Sequence, residues 1–147
     1  MKAKSFCQQF RTERAPQFID ITDWVNECVA KSKVRNGFAV VYSKHTTAAV
    51  KINENEPLLL EDMCKFLEKL SPRNGGYQHN DFSIRTVNMN PDESPNGLAH
   101  LQHLLLGTSE TVPVIDGVMQ FGRYQSVFFI ELDEPRDREV MVQVVGE

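Results

Sequence analysis

The chain has 147 residues and a formal net charge of −4, and its basic and acidic residues are mixed along the sequence. That length suits one domain, residues 1–147, large enough to bury a core without disulfide or metal staples. No basic tract or arginine-rich arm is present, which argues against a nucleic-acid partner. The longest apolar runs, such as Val127–Ile130, fall far short of a membrane span, and the N-terminal stretch lacks the apolar run of a signal peptide. The three cysteines, Cys7, Cys28 and Cys64, are odd in number and widely spaced with no CxxC pair, so reduced thiols in a cytoplasmic protein are expected.

In chain order, Lys4–Phe10 and Pro16–Asp20 read as a first hairpin around the polar RTERA. A short helix follows over DITDWVNECVAKS, capped by Asp20 or Thr22, with Ile21, Trp24, Val25, Cys28 and Val29 at helical spacing. Gly37 leads into the strand FAVVYS, and AAVKIN forms a second strand after the His-Thr-Thr step. Asn55 is the expected N-cap of the next helix. Pro57 suits its first turn, and Leu59, Met63, Phe66, Leu67 and Leu70 form its expected buried face. A long polar stretch from Ser71 to Asn96 precedes a short helix in NGLAHLQHLLLG; a loop of that length in a small domain is usually functional or disordered. The end is strands: ETVPV and GVMQF around the turn Ile115–Gly117, then YQSVFFIELD and EVMVQVVGE around the turn EPRDR. Strands at both ends with two to three helices between them predict an α+β domain, a largely antiparallel β-sandwich.

All four histidines lie between residues 45 and 103. His45 leaves a strand, His79 sits in the long loop, and His100 and His103 share a helix face. Imidazoles from three elements suit zinc and similar metals, with separate polar histidines as the alternative. Glu54 is a candidate base or a partner orienting a histidine. Glu56 reads as an ordinary helix N-terminal acid. The turn at Gly107, Thr108 and Ser109 offers backbone amides and hydroxyls to an anion, beside a plain helix C-cap role for Gly107. Arg123 can pair with phosphate or simply be solvated in a hairpin connection.

These segments occur in an order that resembles the YjbQ family: HTTAAVKINENE, a helix carrying Asp62, YQH at Tyr77–His79, NGLAH at Asn96–His100, LLGTS, PVIDGVMQFGRYQ and the terminal VQVVGE. The resemblance runs from about Phe38 onward. It implies a YjbQ-like α+β sandwich, a homotrimer with sites near subunit interfaces, and activity of the secondary thiamine-phosphate synthase type. It also implies a metal cluster of His45, His79 and His100. Asn53, Glu54 and Asp62 match polar positions of the same motifs, and Ser109 and Gln125 match later ones. Two departures stand out: Leu98 replaces an acidic residue two before His100, and Gly122-Arg123-Tyr124-Gln125 replaces Gly-Thr-Trp-Gln.

The expectation is therefore a metal-binding enzyme acting on a phosphorylated small molecule. Asn53, Glu54, Asp62, Ser109 and Gln125 would be catalytic, and Gly107, Thr108, Ser109 and Arg123 would hold the anion. Zinc suits three histidines; magnesium suits a diphosphate substrate. The alternatives are a metal-dependent hydrolase and a metal or small-anion binding protein without turnover.

Overall fold

The computed structural model covers residues 1–147 and contains eight strands and three α-helices. Strands β1 (Lys2–Arg11) and β2 (Gln17–Asp20) precede helix α1 (Thr22–Ser32), and β3 (Gly37–Ser43) and β4 (Ala48–Asn53) precede α2 (Pro57–Leu70). A 3-10 turn at Gln78–Asn80 leads to α3 (Gly97–Leu106). The chain ends in β5 (Ser109–Ile115), β6 (Val118–Met119), β7 (Ser126–Glu131) and β8 (Asp137–Gly146). The strands form two antiparallel sheets, one ordered β1-β8-β3-β5-β6 and the other β2-β7-β4. The α+β class, the helices and the sandwich are as the sequence predicts.

Alternation along the strands sorts side chains between two cores. Val50, Val127 and Phe129 point into the larger one, between the sheets, where they meet Val41, Val112, Val142 and the α1 residues Val25, Cys28 and Val29. Ala49, Phe128 and Ile130 face the other way and pack against Leu67 of α2 and Leu98 and Ala99 of α3. The three-stranded sheet is thus covered on both faces. This explains why Val127–Ile130 is continuously apolar rather than alternating with polar residues.

Several local expectations are corrected. β1 and β2 are not a hairpin: β1 pairs with β8 in one sheet and β2 with β7 in the other, so the intervening polar segment crosses between sheets. The EPRDR turn makes the same kind of crossing, from β7 to β8. Glu56, not Asn55, caps α2; its carboxylate accepts from Leu58 N at 3.0 Å and Leu59 N at 2.7 Å, while Asn55 Nδ2 donates to Asp20 Oδ2. Asp20 does serve the start of α1, accepting from Thr22 N at 2.9 Å. On α2 only Leu67 is fully buried, and Phe66 and Leu70 are exposed. The three cysteines are free thiols: Cys7 is exposed, Cys28 buried and Cys64 half-buried. No helix is long and apolar enough to cross a membrane.

Candidate functional site

The link from β3 to β4, Lys44–Thr47, steps from one sheet to the other at the end of the sandwich. Ser43 Oγ closes it by donating to Ala48 O at 2.8 Å. The β7–β8 crossing lies against it: Leu132 N donates to Thr47 O at 3.2 Å. Between them stands Glu131, wholly inaccessible to solvent, paired with Arg138, which is 3% exposed. Glu131 accepts from Arg138 Nε at 2.7 Å and from Arg138 Nη2, from Thr12 Oγ1 at 2.8 Å, and from the N–H groups of Leu132 and Asp133. Arg138 Nη2 also donates to Thr47 Oγ1 at 3.0 Å. Burial alone would raise the Glu131 carboxyl; the donors from Arg138, Asp133 N–H and Thr12 outweigh it and hold the group below its ordinary value.

Above this pair opens a cleft of about 790 Å³ lined by seventeen residues, all of them polar or charged except Pro91. His45, His79 and His100 all line it, together with the cations Lys44, Arg85, Arg136 and Arg138 and the carboxylates Asp92, Glu93 and Glu134. Each of these cations is paired with a carboxylate: Lys44 with Glu139, Arg85 with Glu93, Arg136 with Asp133 and Glu134, and Arg138 with Glu131. His45 Nε2 accepts from Glu139 N at 3.0 Å, just beyond the last β3–β8 pair, Ser43 with Val140. The His79 and His100 rings meet edge to face with centroids 4.6 Å apart. Tyr77 sets that approach. Its hydroxyl donates to Pro72 O at 2.7 Å and lies 2.9 Å from Ser71 Oγ, which in turn donates to Leu98 O on α3.

Burial, followed by the Arg138 guanidinium, holds His45 below the ordinary imidazole range. Burial, followed by His79, does the same to His100. Both rings are therefore neutral at neutral pH, the form that accepts a proton or coordinates a metal. As the side chains stand, however, no three His, Cys, Asp or Glu residues are grouped so as to hold a metal ion. His45 is the reason that can be named: its Nε2 lone pair is taken by the Glu139 N–H.

The other expected site residues lie elsewhere. Asn53 is at the opposite end of β4 from His45, paired in register with Ser126, beside Gln125 and the exposed Arg123. At about 3.3 Å per residue, the length of β4 puts Asn53 roughly 17 Å from the cleft end of that strand. Glu54 follows Asn53, and its N–H is taken by Asn53 Oδ1 at 2.8 Å. Gln125 Oε1 closes its own turn by accepting from Gly122 N at 2.7 Å, and Arg123 lies 5.2 Å from the Tyr124 ring centroid. Asp62 is exposed on α2. Gly107 caps α3 with φ 88°, Thr108 O accepts from Ser43 N, and Ser109 begins β5 exposed; none of the three lines the cleft. The sequence reading missed Thr47, Arg85, Glu93, Asn96, Arg136 and Arg138 in the cleft wall. A usable signal was Glu131, a charge at the end of the apolar run Val127–Ile130 with Arg138 seven residues on.

The sequence profile described as UPF0047 protein YjbQ-like matches residues 7–147. The chain belongs to the YjbQ/UPF0047 family. A UPF0047 protein of Methanothermobacter thermautotrophicus is 44% identical over 136 residues, covering 92% of this chain and 87% of that protein. A UPF0047 protein of Methanocaldococcus jannaschii is 35% identical, covering 97% and 94%. The crystal structure of a hypothetical protein from Aeropyrum pernix K1 superposes with a TM-score of 0.84 at 37% identity over the full length of both chains. A YjbQ/UPF0047 protein of Clostridium acetobutylicum gives 0.84 at 35% identity, over 95% of this chain and 99% of that one. These YjbQ relatives carry family names without a reaction, so the chemistry must be argued from the cleft.

Proposed function

We propose that this YjbQ-like chain is an enzyme acting on a phosphorylated small molecule bound in the cleft of His45, His79 and His100. The carrying observation is the lining: seventeen residues with Pro91 as the one apolar side chain, four of them cationic and three of them histidines. Such a wall suits a small anion that exchanges water for fixed charges and N–H donors. Neutral His100 would take or give the proton that breaking or forming a phosphate-ester or diphosphate bond requires, and His45 could take one only after releasing the Glu139 N–H.

Activity of the thiamine-phosphate synthase type is one version. A hydroxymethylpyrimidine diphosphate would lose pyrophosphate, and its methylene carbon would be captured by the ring nitrogen of a thiazole phosphate. Metal-dependent hydrolysis is another, and anion or metal binding without turnover is the alternative. A divalent metal, zinc before magnesium, belongs to the proposal only with a rearrangement, since His45 must release the Glu139 N–H before three imidazoles share an ion. A homotrimer is also proposed. α2 and α3 present exposed apolar side chains to solvent, including Phe66, Leu104 and Leu105, at 63%, 76% and 61% exposure; clustered exposed apolar groups suit an interface.

The test is calorimetric titration of pyrophosphate into wild type and His100→Ala, before and after dialysis against zinc, with metal content read by mass spectrometry. Wild type is expected to bind pyrophosphate, more tightly with zinc, and the variant to lose the zinc gain. Wild type that binds no pyrophosphate in either state sinks the anion reading. Pyrophosphate binding with no retained zinc removes the metal and leaves the histidines as acid–base groups.

A further inference from the structure

Helix α3 supplies no carboxylate to orient the imidazole pair: it contains no Asp or Glu, and Leu98, two residues before His100, is apolar and buried. The loop between the 3-10 turn and α3 brings one instead. Arg85 is the hub of that loop. Its Nε donates to Val87 O at 3.2 Å, its Nη2 to Asn88 O at 2.6 Å and its Nη1 to His79 O at 3.4 Å. The same two terminal nitrogens grip Glu93, Nη1 to Oε1 at 2.5 Å and Nη2 to Oε2 at 3.2 Å. Asn88 takes a left-handed backbone, φ 54°, in the turn that presents its carbonyl to Arg85. A bidentate guanidinium–carboxylate pair with its remaining donors used on backbone is a rigid clamp. Both side chains are largely shielded from solvent.

The clamp aims Glu93 at the ring. Glu93 Oε1 stands 3.7 Å from His79 Nε2, and that nitrogen is buried with no hydrogen-bond partner in the protein. A small torsional adjustment would bring the pair within the ordinary range of about 2.7–3.2 Å. We propose that Glu93, held by Arg85, is the positioning residue for His79: it accepts the Nε2–H, fixes that tautomer and leaves the Nδ1 lone pair free. A carboxylate on one imidazole nitrogen fixes ring orientation and makes the other nitrogen a better base or ligand. Because His79 packs edge to face on His100, fixing one ring also limits the other.

The inference rests on the reading that these histidines work together in the cleft. Its test does not pass through ligand binding, so the two can fail separately. Histidine ¹⁵N shifts are recorded at pH about 8, above the ordinary imidazole value of about 6.5, on wild type, Glu93→Ala and Glu93→Gln. Wild type is expected to show His79 as a single tautomer protonated at Nε2, Glu93→Ala a mixture of tautomers, and Glu93→Gln, which keeps an acceptor oxygen, the wild-type form. A wild-type proton on Nδ1, or a Glu93→Ala spectrum identical to wild type, overturns the proposal. If Glu93→Ala loses its dispersed amide spectrum, Arg85→Gln frees the same carboxylate and is scored the same way.

Discussion

Glu131 occupies a position that an apolar residue would normally fill, at the inner end of β7 and fully enclosed. What makes the charge tolerable is the number of donors converging on it: Arg138, Thr12 and two backbone N–H groups. Such a pair adds little net stability over an apolar substitute of the same volume, but removing one partner strands the other without water. Glu131→Gln is therefore expected to destabilise the fold by about 3–5 kcal/mol, read as a lower urea midpoint. Arg138, released from its main anchor, would also disturb the cleft floor. An unchanged midpoint would mean that Arg138 finds another partner and that the pair does not hold the two crossings together.

Tight contact between elements, more than helix propensity, positions the imidazoles. α3 begins at Gly97, where a Cβ would come 2.6 Å from Tyr77 Cβ and 3.1 Å from Asn80 Oδ1. The obstacle is therefore the 3-10 turn carrying His79, not the backbone angles of Gly97. Gly97→Ala should push that turn off α3, costing about 1–3 kcal/mol as overpacking does. It should also weaken ring-to-ring contacts between His79 and His100. Urea denaturation and ring–ring nuclear Overhauser effects check both; contacts unchanged beside a normal midpoint would show that the turn gives way without moving His79. Helix α2 shows the same dependence on neighbours. Its apolar stripe is real, but α3 and the three-stranded sheet cover only Leu67 fully, leaving Phe66 and Leu70 toward solvent.

For the molecule as a whole, two polar groups sit at opposite ends of the small sheet: the histidine cleft at one, and Asn53, Glu54, Arg123 and Gln125 at the other. No bending within one chain brings them together. The proposed homotrimer, with neighbouring copies meeting through the exposed faces of α2 and α3, would let residues of both ends serve one site. Light scattering after size exclusion is expected to give three times the mass of 16.8 kDa. Leu104→Glu, placing a charge on the exposed α3 face, is expected to reduce it to the single-chain mass with the fold retained. A wild-type protein of single-chain mass would remove the trimer from the proposal.

Strand alternation, helical spacing and turn residues are local properties, so the α+β class, the three helices and the β5–β6 turn at Asp116–Gly117 were legible from the residues alone. The family was legible too, because its motifs keep their order along the chain. Pairing partners were not. A strand carries the same pattern whether its neighbour lies in one sheet or the other, so β1–β2 and β7–β8 looked like simple turns rather than crossings. The buried face expected of α2 was likewise too wide, since an apolar stripe does not say how much of it a neighbour covers. That His45, His79 and His100 share one cleft depends on two sheet crossings and a Tyr77-anchored turn. That Asn53 and Glu54 stand apart from them depends on the length of β4. That His45 gives its Nε2 to a β8 backbone N–H depends on where the β3–β8 ladder stops. Each is a distance between segments remote in sequence, and only the packing of the two sheets decides it.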